Sequence, residues 1–169
     1  MSELKLLTLI IVANGSPIVA QKLLGNRWRS PLDAGKHFID RKPLLGAAKT
    51  WRGILAACLL TSLAAWIMHL YPMTGFLIAL CAMLGDLLSS FIKRRLGMPS
   101  SSMALGLDQI PESLSPLLLV KVFAPALLPP PLQADPTWTM VWQIVAMFFI
   151  AELLVSKILY RLHIRNEPY

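Results

Sequence analysis

The chain has 169 residues, 56% of them apolar and only 15% charged, with 16 Lys and Arg against nine Asp and Glu for a formal net charge of +7. Soluble domains reach about 45–50% apolar even with glycine counted, so this composition, with a mean hydropathy of +0.60, excludes an ordinary soluble globule. The length allows one domain spanning 1–169, in which lipid replaces much of the need for a buried core.

Five spans of crossing length are predicted, at roughly 4–20, 54–70, 73–92, 114–130 and 138–160. The expected fold is therefore an all-α polytopic membrane protein with two functional loops on one face. The first span is the weakest, because Asn14, Gly15 and Pro17 interrupt it. A cleaved signal peptide is the poorer reading of it, since Glu3 spoils a basic leader.

The segment after the first span carries Lys22, Arg27, Arg29, Lys36, Arg41, Lys42, Lys49 and Arg52. It reads Pro31-Leu32-Asp33-Ala34-Gly35-Lys36, then Asp40, then Gly46-Ala47-Ala48-Lys49-Thr50-Trp51-Arg52-Gly53. A helix start preceded by Gly, Lys, Thr and Arg can offer N–H groups and cations to phosphate. The spacing is not that of a Walker A loop, and a basic loop alone is usually just solvated.

The third span ends Gly85-Asp86-Leu87-Leu88-Ser89-Ser90-Phe91-Ile92-Lys93-Arg94-Arg95. Asp86, Ser90 and Lys93 fall at i, i+4 and i+7, on one helical face. An ionisable residue inside a span costs about 2.5–3.5 kcal/mol, which points to function. A hard oxygen ligand beside cations suits magnesium and phosphate chemistry. Cys58 and Cys81 lie in apolar segments without metal spacing and are expected as free thiols.

Leu107-Asp108-Gln109-Ile110-Pro111-Glu112-Ser113 opens the fourth span. Pro111 suits a first helical turn, and Glu112 there complements the helix dipole. Asp108 precedes the turn and is freer to reach across as a second Mg²⁺ ligand. Magnesium takes few protein carboxylates and completes its shell with water and substrate phosphates.

The turns around Pro72 and at 129–137 lack Lys and Arg, whereas Lys157, Arg161 and Arg165 follow the last span. The positive-inside rule then puts the amino terminus outside and the carboxyl terminus in the cytoplasm. Pro129-Pro130-Pro131 reads as a rigid outer turn, and the five tryptophans as an interfacial belt. Counted from the predicted cytoplasmic ends at 1.5 Å per residue, Asn14 and Asp86 lie about 9–10 Å deep, Lys121 about 10 Å and Glu152 about 12 Å. This polar layer reads as a cavity open to the cytoplasm, with Lys121 and Glu152 read as a structural pair.

At these residues the chain resembles the CDP-archaeol synthase family, relatives of the phosphatidate cytidylyltransferases. The resemblance covers nearly the whole chain. It rests on Ala13-Asn14 with Pro17, Pro31-Leu32-Asp33-x-Gly35-Lys36-x-Phe38-x-Asp40, Leu45-Gly46-x-x-Lys49-Thr50-Trp51-Arg52-Gly53, Gly85-Asp86 through Ser90-Phe91-x-Lys93-Arg94-Arg95, and Leu107-Asp108-Gln109 with Glu112. It implies that CTP and a lipid phosphate give a CDP-lipid and pyrophosphate with Mg²⁺, in a cell membrane with the site facing the cytoplasm. In archaeal members the lipid is an unsaturated archaetidic acid. The family usually has Asp-Gly where this chain has Asp40-Arg41, which leaves lipid identity open.

In that chemistry a lipid phosphate oxygen attacks the α-phosphorus of CTP, and cations neutralise the developing charge. Asp86 and Asp108 are assigned to Mg²⁺. Lys49, Arg52, Lys93 and Arg94 are assigned to phosphates. Asn14, Asp33, Lys36, Asp40, Thr50, Ser90 and Glu112 are expected as substrate contacts or their supports. A small transporter with an intramembrane Asp/Lys/Glu site is the competing reading. The missing motif of the CDP-alcohol phosphotransferases argues strongly against that class, and a lipid-binding scaffold does not explain Asp86. No nucleic-acid partner is expected. Oligomeric state is left open, a homodimer included.

Overall fold

The computed structural model describes residues 2–100, 102, 104–127 and 136–161. The proline turn beyond Leu127 and the tail with Arg165 lie outside the described residues. Five helices are described: α1 Ser2–Leu24, α2 Trp51–Ile67, α3 Pro72–Arg95, α4 Gln109–Leu127 and α5 Trp138–Arg161. Three contain segments long and apolar enough to cross a membrane, Glu3–Leu24, Pro72–Arg95 and Trp138–Ile158. Helix α2 is apolar but shorter, at 17 residues.

Helix α1 runs unbroken through the three residues that weaken it in the sequence. Pro17 removes the hydrogen bond to Ala13, yet the same stretch gains side-chain bonds. Asn14 Nδ2 donates to Ile10 O at 3.1 Å, and Ser16 Oγ donates to Val12 O at 2.5 Å. Helix α2 starts at Trp51 because Thr50 caps it, its Oγ1 accepting from the Gly53 N–H at 3.2 Å.

Helix α4 starts five residues before the predicted position 114, and this corrects the placement of Lys121. The Asp108 carboxylate accepts the Ala104 N–H at 2.8 Å, and Gln109 Oε1 accepts the Gly106 N–H at 2.7 Å. These bonds fix the chain just ahead of Pro111, which then occupies the first turn. Lys121 is thus about 18 Å along the helix rather than 10 Å. Its Nζ donates to Pro136 O at 2.9 Å and sits 4.9 Å over the Trp138 ring. Glu152 is fourteen residues, about 21 Å, further along α5. The expected Lys121–Glu152 pair is therefore replaced by two separate environments at opposite ends of the bundle.

Helix α3 packs against α1, α2 and α4, while α5 lies at the edge against α1 and α4. Gly85 makes the α3–α4 crossing possible. A Cβ there would strike the carbonyl of Pro111, so only glycine lets the helix carrying Asp86 approach the one carrying Glu112 this closely. The bundle has two unlike halves. Leu9, Ile10, Ile78, Leu117, Val141, Ile144 and Phe148 form a dry core in one. The other half brings together the end of α1, the start of α2, the end of α3, the start of α4 and the second half of α5 around a polar cavity.

Candidate active site

The cavity holds about 320 Å³. The segment 25–50 between α1 and α2 forms its roof and is organised by Asp33. Asp33 Oδ2 accepts the N–H groups of Leu45 at 3.0 Å and Gly46 at 2.9 Å, and Oδ1 accepts that of Gly35 at 3.0 Å. Burial alone would raise its pKa, but these donors favour the anion and hold it below the ordinary carboxylate value. Asp33 is thus a brace for the Gly46–Lys49 turn rather than a cavity residue.

Asp40 is a second brace. Residues 37–43 form a small hairpin closed by a His37–Pro43 bridge. Arg95 reaches from the end of α3 to Asp40 Oδ1 at 2.5 Å and to Pro43 O. Its guanidinium lies 5.0 Å from the Phe38 ring and 4.9 Å from the Phe91 ring. Arg41, at the hairpin tip, has φ +59°. That is the left-handed conformation a glycine takes freely, so the family's Asp-Gly fits the turn and this chain accepts some strain for the same shape. Lys36 is exposed and lies outside the cavity.

The remaining assigned residues do converge. Asn14, Lys49, Thr50, Arg52, Asp86, Ser90, Lys93, Arg94, Asp108 and Glu112 all line the cavity. Two carboxylate–ammonium pairs dominate it. Lys49 Nζ lies 2.5 and 2.6 Å from the two oxygens of Asp86. Lys93 Nζ lies 2.6 Å from Asp108 Oδ1 and donates to Ser102 O at 2.9 Å. Glu112 is buried and within hydrogen-bonding reach of Asp86, with Glu152 close enough to add its field. Facing carboxylates repel unless a proton or a cation lies between them.

The arginines are partly committed to the chain itself. Arg52 Nη1 donates to Gly25 O at 2.9 Å and Arg27 O at 2.5 Å, closing the end of α1. Arg94 Nη2 donates to Pro99 O at 2.6 Å, while its Nε is buried without a hydrogen-bond partner. Arg94 therefore keeps one N–H unsatisfied beside the cavity.

A family model for CDP-archaeol synthase, CarS-like, matches residues 4–73 and 66–169. The chain belongs to the CDP-archaeol synthase family. It is accordingly a CTP-dependent cytidylyltransferase that forms a CDP-lipid, and the transporter reading falls. Among relatives with that name, the protein of Pyrobaculum calidifontis is 33% identical over 178 positions covering 100% of both chains. That of Pyrobaculum arsenaticum is 36% identical over 118 residues, 67% of this chain and 70% of its own. The Saccharolobus islandicus protein is 30% identical over 94% of this chain and 89% of its own. A solved structure, described as giving insight into an intramembrane enzyme for archaeal membrane lipids biosynthesis, superposes with a TM-score of 0.70 at 29% identity over 90% of both chains.

Glu152 lines the cavity as the predicted polar layer has it, near Glu112 rather than Lys121. Other cavity residues escape a reading of the sequence. Gln21 and Arg29 also line the cavity. Nothing distinguishes Arg29 from the other cations of its loop until the chain is folded.

Proposed function

We propose that the enzyme transfers the cytidylyl group of CTP to an archaetidic acid-like lipid phosphate, releasing pyrophosphate, at a cytoplasmic site with Mg²⁺. The paired arrangement of Asp86 with Lys49 and Asp108 with Lys93 carries this reading. Each pair is neutral and only partly exposed, and each contains a hard oxygen donor and a mobile ammonium. Triphosphate entering the cavity offers both lysines a richer anion. As they turn to it, their carboxylates are released to hold a cation.

The residues present fit magnesium. Among the described residues no group of three or more His, Cys, Asp or Glu forms a closed cage, and Mg²⁺ rarely uses one. Glu112 lies within hydrogen-bonding reach of Asp86, and two facing carboxylates need a proton or a cation between them, a place that a divalent cation would fill. Asp86 and Asp108 would hold the ion, and when bound it neutralises phosphate oxygens. Lys49 and Lys93 then stabilise charge on the triphosphate, with Arg94 Nε free to add a donor. Arg52 fixes the end of α1 and so positions the roof. Thr50 and Ser90 present hydroxyls to the same space. Asp33 and Asp40 act through the loop fold, not by contact.

All five helices are proposed to cross the bilayer; α2, at 17 residues, is near the lower limit. The test is purified enzyme in detergent with labelled CTP and a panel of ether- and ester-linked lipid phosphates. A Mg²⁺-dependent CDP-lipid with the isoprenoid ether phosphate is expected. A labelled product only from ester-linked phosphatidate, or turnover indifferent to chelator, would defeat the lipid or the metal assignment respectively.

A further inference from the structure

The lipid phosphate cannot arrive as CTP does. Its two long chains stay in hydrocarbon, since exposing them to water costs about 0.8 kcal/mol per CH₂. The cavity must therefore open sideways, between two helices. Close approach marks three of the seams, through the Pro17 ring at α1–α2 and through backbone at α2–α3 and α3–α4, the α2–α3 contact lying in the dry half. At α1–α2 a Cβ on Gly53 would stand 3.3 Å from Pro17 Cβ. At α2–α3 a Cβ on Gly75 would strike Thr61 O, and at α3–α4 one on Gly85 would strike Pro111 O. The α4–α5 seam presents only Glu112 of α4's helical residues to the cavity, and that residue is 7% exposed.

The α1–α5 seam differs. Both helices contribute to the dry core, Leu6, Leu9 and Ile10 from α1 and Val141 and Val145 from α5. In the polar half each carries a residue that both lines the cavity and faces outward, Ile18 at 38% and Val155 at 44% exposed. Large apolar residues at the rim of a charged cavity suit a boundary between headgroup and chains. We infer that the lipid substrate enters and leaves laterally between α1 and α5, with Ile18 and Val155 as the two sides of the doorway and the phosphate passing inward toward Lys49. The inference rests on the cytidylyltransferase reading and adds the route its lipid takes.

The test uses full-length enzyme with Cys58 and Cys81 replaced by alanine, carrying Ile18→Cys and Val155→Cys. Bridging the pair with a short bifunctional thiol reagent should lower turnover of a long-chain lipid phosphate at least tenfold. Turnover of a short-chain, water-soluble lipid phosphate, which can enter by the aqueous mouth, should change less than twofold, as should CTP binding. Each single cysteine treated alike controls for modification. A single-site variant, Val155→Trp, should raise KM for the long-chain substrate several-fold at unchanged kcat. Long-chain turnover that survives a completed bridge, or equal loss for both lipids, would overturn the doorway. Failure of every lipid phosphate to react in the unbridged enzyme would instead overturn the function itself.

Discussion

Lys49–Asp86 and Lys93–Asp108 look alike on paper but differ in burial, and that difference separates catalysis from stability. The Lys93 and Asp108 side chains are 8% and 11% exposed, against 25% and 17% for Lys49 and Asp86. Asp108 also accepts the Ala104 N–H. Breaking a buried pair by removing one partner costs about 3–5 kcal/mol, whereas a wetter pair costs less. Asp108→Asn should therefore lower both activity and Tm. Asp86→Asn should cut kcat at least about 10²-fold, the scale of one strong transition-state interaction, with Tm nearly unchanged. Thermal unfolding in detergent beside turnover at saturating Mg²⁺ distinguishes them; near-normal turnover of Asp86→Asn would show that its carboxylate is not used. Asp33 supports a prediction in pH. Its pKa is lowered in the fold, so its contribution is fully present above the ordinary value of 3.8 and is lost as pH falls through the folded value. Backbone hydrogen exchange at Leu45 and Gly46 should therefore accelerate below that range in the native enzyme. In Asp33→Asn it should already be fast at neutral pH. Equal protection in both proteins would remove Asp33 as the brace of the loop.

At the scale of the helix, the site depends on how closely α3 and α4 cross. Gly85→Ala places a methyl group against Pro111 O, Pro111 C and Glu112 N, all of them backbone atoms. The helices must separate by about an ångström to restore an ordinary contact, which shifts Asp86 against Glu112. Overpacking of this kind costs about 1–3 kcal/mol. Both a lower Tm and a loss of kcat larger than the loss in CTP affinity are expected; an alanine variant with normal turnover would mean the crossing has slack. The sequence showed the helices well because apolar runs of crossing length are hard to mistake. Asp86, Ser90 and Lys93 were legible as one face because helical spacing alone brings them together. Depth was legible only where a helix end was. Starting α4 five residues late moves Lys121 from the end near Trp138 into the polar layer and pairs it with Glu152. For Asp33 and Asp40 the sequence leaves open whether they touch substrate or support those that do, and the fold makes them supports. Each accepts a local N–H two residues on, a turn pattern the sequence encodes, but the Leu45 and Gly46 N–H groups and Arg95 are brought to them only by the fold.

For the whole molecule, the division into a dry half and a polar half has meaning only relative to the two sides of a membrane. The alternation of helices puts the turn at Tyr71 at the dry end and the loop with Ser102 at the polar end. The polar end carries most of the cations, including Lys49, Arg52, Lys93, Arg94 and Arg95, and such loops are retained in the cytoplasm. CTP is made and held there, and the proposed orientation opens the polar cavity to that side. Introducing Tyr71→Cys or Ser102→Cys into a protein with Cys58→Ala and Cys81→Ala gives two reporters on opposite faces. Tyr71 is 58% exposed, and a thiol there should react with a membrane-impermeant maleimide in intact cells. A thiol at Ser102 should stay unlabelled until the membrane is permeabilised, and CTP with Mg²⁺ should then slow its labelling, because Ser102 lines the cavity. The reversed pattern would place the cavity outside, where no CTP is supplied. That result would leave the helix packing intact and remove the cytoplasmic site.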